Sequence, residues 1–145
     1  GLVLTESAAI CTYLADLHPE AGLIPEPRTP DRARHDMWVS FVISELEQPL
    51  WTASKHTFAL PEKLRVAEIL PTAHKEFERP AAMLAGALAD GPHLVGGRFT
   101  VADVLAVHTL NWAIKGGFEL GHDVLHDYRK EHSLRPALQG LLKDL

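Results

Sequence analysis

A chain of 145 residues with 46% hydrophobic and 23% charged residues is long enough to bury a core without cross-links, and its composition excludes disordered and fibrous classes. A formal charge of −5 supplies no field that would draw in nucleic acid or an anionic membrane surface, so neither partner is expected. Cys11 stands alone, which excludes an internal disulfide, and with no signal peptide or long apolar run a reducing cytoplasmic setting is expected.

The opening Gly1-Leu2-Val3-Leu4 is an apolar run too short to stand as an independent element. It reads as the end of a buried strand whose sheet partners lie upstream of Gly1, in a chain cut from something longer. From Glu6 or Ser7 the spacing becomes helical, with Ala9, Ile10, Tyr13, Leu14 and Leu17 at three- and four-residue steps until His18-Pro19. Gly22 and prolines 25, 27 and 30 then impose an extended linker. This division predicts a short unit over residues 1–24 and a larger, all-helical one over residues 25–145.

Thr29-Pro30-Asp31 opens the next helix with a capping hydroxyl, a proline at the first helical position and an acidic first turn. A long helix is predicted to about Phe58, bent at Pro49. A second long helical stretch is predicted over residues 60–90, interrupted by Pro71 and Pro80, followed by a loop around Gly96-Gly97. Thr100 and Asp103 then form a capping box, with Phe99 placed to staple onto Val104. The helix they open is apolar nearly all round and belongs in the centre of the core. Two further helical segments are predicted, near residues 121–131 and 133–145.

A carboxylate and a hydroxyl at a strand-to-helix turn, beside unpaired backbone amides, have the chemistry to hold a zwitterion. Ser7 suits a small carboxylate and Glu6 an ammonium group, so the ligand head would be an amino acid. Plain helix capping by the same two residues is the alternative.

The run from Leu4 to Ala15 resembles the Glu-Ser-x-Ala-Ile-x-x-Tyr-Leu signature that closes the thioredoxin-like domain of cytosolic glutathione S-transferases. The stretch GGRFTVADVLAV over residues 96–107 resembles their buried capping-box helix, and the proline-rich linker followed by MWVSF is similar to their interdomain connection and first C-terminal helix. The resemblance implies a glutathione S-transferase C-terminal-like helical bundle, preceded by the last strand and helix of a thioredoxin-like domain. It implies that Glu6 and Ser7 bind the γ-glutamyl group of glutathione, the co-substrate, and that Thr100 and Asp103 are a structural cap. The family's activating residue is expected upstream of Gly1, so no residue here is assigned as catalytic and the chain alone is expected to be inactive.

The implied reaction is conjugation of glutathione to a small electrophile by a protein that pairs as a homodimer. Its helical domain would supply one wall of the electrophile pocket, with Phe41, Trp51 and Trp112 as candidates and ordinary core packing as the alternative for each. Glu47-Gln48 stands where some bacterial classes carry a His-Lys pair, which speaks against those classes. The rival functional reading is a non-catalytic interaction module of the same fold, similar to the domains of elongation factor gamma subunits and synthetase-associated scaffolds.

No metal is expected: His122 and His126 lie four apart but lack a third ligand. Cys11 is expected to be a buried inert thiol. Arg32, Arg34 and His35, with Asp31 and Asp36, read as a solvated mixed-charge face or a dimer contact.

Overall fold

The computed structural model describes residues 1–137, and among them regular structure is almost entirely helical. Six α-helices follow in order: α1 (Ser7–Leu17), α2 (Pro30–Phe41), α3 (Glu47–Ser54), α4 (Leu70–Leu88), α5 (Val101–Lys115) and α6 (Asp123–Ser133). The one β feature among the described residues is an isolated bridge between Val95 and Arg98. The segment predicted as helical over residues 133–145 lies mostly outside the described residues.

Residues 2–4 do not form the predicted strand; Leu2 and Val3 are exposed. An extended segment becomes a strand only through a ladder partner, and the described residues offer none. The helix that follows is as predicted, ending at the His18 cap. Thr29 caps α2 by accepting from the Arg32 amide at 3.1 Å, with Pro30 at the helix start.

The long helix does not simply bend at Pro49. A π-turn over Val42–Leu46 joins α2 to α3 just before it, and a second, Lys55–Ala59, follows α3. Pro49 has no N–H and its ring would strike the Glu45 carbonyl of a regular α-helix; the wider turn relieves that clash while Val42, Leu46, Pro49 and Leu50 stay buried on one face.

Residues 60–69 differ from the prediction. They form two 3₁₀ turns, Glu62–Leu64 and Ala67–Ile69, and α4 begins only at Leu70. Side chains satisfy the backbone there: Arg65 donates to the Leu60 and Phe58 carbonyls, and the Val66 amide donates to His56 Nδ1. Neither predicted proline break occurs within α4, since Pro71 sits in the first turn and Pro80 is carried inside the helix, buried. Ala73, Phe77, Ala81, Leu84, Ala85 and Leu88 form the buried stripe of α4, at the spacing of one helix face.

At the centre lies α5, packed against α1, α2, α3 and α6, with nine of its fifteen residues buried. Its capping box forms as predicted. The buried Asp103 carboxylate accepts from the Thr100 amide (2.8 Å), the Thr100 hydroxyl (2.9 Å), the Leu94 amide (3.0 Å) and the Tyr128 hydroxyl (2.8 Å). Burial, and then the adjacent carboxylate, hold the Tyr128 hydroxyl protonated far above its ordinary range. The side chain expected to staple the helix, Phe99, has its ring beside His93 and His132 and under the Arg135 guanidinium at 3.9 Å.

Candidate functional site

The first candidate site is the start of α1. Glu6 occupies the cap position with φ 68° and ψ 116°, a left-handed backbone that a residue bearing a Cβ adopts only at some cost, of order 1–3 kcal/mol. No side chain caps this helix and its first turn holds no acidic residue, so the orphan amides at its positive end are not neutralised from within the element. The Glu6 carbonyl accepts from the Ile10 amide at 3.0 Å, which fixes the turn, while both Glu6 and Ser7 are exposed. A carboxylate-bearing and a hydroxyl-bearing residue thus follow one another at the uncapped start of a helix, in a turn whose backbone is strained at Glu6.

An ion pair locks α1 in place. Arg32, on α2, forms a bidentate pair with Asp16 of α1 at 2.9 and 3.0 Å and also reaches Asp36 at 3.1 Å. Its side chain is 18% exposed, so this part of the α2 start is not the solvated face expected from the sequence; Arg34, paired with Asp31 at 2.8 Å, remains on the surface. The bond to Asp16, foremost, raises the Arg32 pKa further. The sequence showed the charges but not the partner sixteen residues earlier. Cys11 is half-buried rather than buried, and the apolar Ile10, Tyr13, Leu14 and Leu17 of α1 are exposed.

The second candidate is a cavity of about 700 Å³ between the end of α3, the second half of α5 and α6. Trp112 and Phe58 supply aromatic surface, and His108, Asn111, Lys115 and Arg129 supply polar groups. Of the three aromatics singled out from the sequence, Trp112 lines the cavity and Trp51 packs edge-on against it at 6.4 Å between ring centroids. Phe41 lies elsewhere, edge-on against Trp38 at 5.2 Å. The polar lining was not foreseen, because Asn111 and Arg129 are brought together only by the packing of α5 on α6: Arg129 Nη1 donates to Asn111 Oδ1 at 2.8 Å, and Asn111 Nδ2 donates to Ser133 Oγ at 3.1 Å. Nearby, burial raises the Glu47 pKa, partly offset by His108. Among the described residues no cluster of three or more His, Cys, Asp or Glu side chains is arranged to hold a metal ion, and no helix is long and apolar enough to cross a membrane.

Comparison with known proteins decides the family. The profile of the glutathione S-transferase C-terminal domain matches residues 45–140. The chain belongs to the glutathione S-transferase family. A glutathione transferase from Methylococcus capsulatus superposes with a TM-score of 0.85 at 31% identity, covering 97% of this chain and 66% of that one. A sphingomonad glutathione S-transferase solved in complex with glutathione gives 0.84 at 30%, covering 97% and 67%. The glutathione S-transferase GstA of Escherichia coli O157:H7 is 28% identical over 98% of this chain and 68% of its own length; GST-4.5 of Xanthomonas campestris is 29% identical over 81% and 57%. The chain thus spans roughly two thirds or less of the glutathione S-transferases it matches. These matches run through almost all of the chain.

Proposed function

We propose that this protein acts as a glutathione transferase, with Glu6 and Ser7 holding the γ-glutamyl end of the thiol tripeptide and the cavity beside Trp112 taking the electrophile. The observation that supports the reading is the uncapped, strained start of α1, where Glu6 at φ 68° directly precedes Ser7 and the first-turn amides. In this reading the glutamyl carboxylate lies on Ser7 and the helix amides, and the glutamyl ammonium on Glu6. Residues 1–24 then close the glutathione-binding unit, and residues 25–145 form the helical domain.

Conjugation forms a bond between the glutathione sulfur and the electrophilic carbon, a leaving group departs with its electron pair, and the thiol proton passes to solvent or a base. The residues described here bind and orient; thiol activation is assigned to none of them. Trp112, buttressed by Trp51, offers a flat apolar wall on which an aromatic substrate packs. Homodimerisation would use the exposed start of α2, where Arg34 and Met37 remain after Arg32 has turned inward to Asp16. The lone Cys11 fits a reducing cytoplasm.

The test is retention on immobilised glutathione, compared with Ser7→Ala. Retention by the parent protein and its loss in the variant support the reading. Equal retention of both removes Ser7 from the site, and no retention of either favours the non-catalytic interaction module.

A further inference from the structure

The cavity between α3, α5 and α6 has an electrostatic character that a simple apolar pocket would not need. Arg129, Lys115 and His108 line it, and among the described residues no Asp or Glu does. Among the described residues neither Arg129 nor Lys115 takes part in an ion pair. Among the described residues the hydrogen-bond partner of Arg129 is a neutral amide, Asn111 Oδ1, while its Nε is shut away from solvent without an acceptor. The residue as a whole is only half-buried, so an anion entering the cavity would meet a guanidinium that no carboxylate among the described residues neutralises. The remaining surface, Trp112, Phe58 and Ile114, is apolar and partly exposed, and the volume suits a drug-sized molecule.

From this juxtaposition we propose that the cavity binds aromatic acids, with the ring against Trp112 and Phe58 and the acid group on the Arg129 guanidinium, supported by Lys115. Asn111 holds Nη1 and so sets the guanidinium plane, leaving Nη2, which that bond does not use, as the donor for the acid group. The inference names the substrate class of the electrophile pocket proposed above, and rests on that reading for the word substrate; the binding of the acid does not.

The experiment is calorimetric titration of the protein with a matched pair, naphthalene-2-carboxylate and naphthalene-2-carboxamide, on the parent and on Arg129→Met. The parent is expected to bind the acid about ten-fold or more tightly than the amide, a preference that weakens with added salt. In Arg129→Met the two ligands should bind within about two-fold of each other, the amide keeping its parental affinity and so reporting an intact cavity. If the variant does not fold, the acid-to-amide ratio of the parent and its salt dependence decide the matter. Equal binding of acid and amide by the parent, no binding of either, or an acid preference that survives Arg129→Met would overturn the proposal. Glutathione retention, measured on the same preparation, separates the two readings. Retention without acid preference rejects the ligand class alone, and acid preference without retention rejects the transferase reading while leaving the cavity's ligand in place.

Discussion

Tyr128 and Asp103, 25 residues apart in the chain, meet inside the core at 2.8 Å, the phenol donating to the carboxylate. With the Thr100 amide and hydroxyl and the Leu94 amide, this gives one buried carboxylate of α5 four donors drawn from the helix's cap residue, the preceding loop and α6. The carboxylate is therefore a junction between elements as well as a helix cap.

Asp103→Ala strands all four donors in a dry interior. We expect a loss of about 3 kcal/mol or more in urea unfolding, against about 1 kcal/mol for Thr100→Ala. Comparable losses for the two substitutions would show that the carboxylate serves as a cap and no more.

The same junction makes stability sensitive to alkali. The folded pKa of Tyr128 lies above the unfolded value, so its contribution is complete below about pH 10 and is lost as the pH rises beyond it. Unfolding free energy should fall above that pH with an added slope of about 1.4 kcal/mol per unit that Tyr128→Phe removes. Parallel parent and variant curves would contradict this.

The clamp from Arg32 to Asp16 ties the candidate glutathione end of the molecule to the helical bundle. Because the pair is only partly shielded, Arg32→Met should cost about 1 kcal/mol. The effect should be local, with α1 amides exchanging several-fold faster while those of α5 are little changed. Uniform acceleration would mean the pair supports the whole fold instead.

Much of this organisation was legible in the sequence where the determinants are local. The Thr100-Asp103 spacing announced the α5 cap, Thr29-Pro30 opened α2, and the periodicity of α1 ended at His18. What escaped notice depends on partners distant along the chain. Residues 60–69 carry apolar residues at helical spacing, yet Arg65 and His56 satisfy their backbone from the side and hold them out of a helix. Arg32 looked solvated because Asp16 lies beyond the linker, and the Arg129–Asn111 pair exists only through the packing of α6 on α5. The strain at Glu6 has no sequence signal, since only the backbone angle reveals it.

Trp112 and Phe41 looked equivalent in the sequence but occupy different places. Trp112→Ala should raise KM for an aromatic electrophile about ten-fold, and Phe41→Ala should leave it within about two-fold. Glutathione affinity should hold in both. A larger effect from Phe41 would move the electrophile pocket away from the α3–α5–α6 cavity.

Whether Glu6 grips the ammonium of the glutamyl residue is tested by chemical deletion. Glutathione and its analogue lacking only that amino group would be titrated against the parent and against Glu6→Gln, forming a double-mutant cycle. Losing the ammonium is expected to weaken binding to the parent by about ten-fold or more and binding to Glu6→Gln far less. The same loss in both proteins would contradict it.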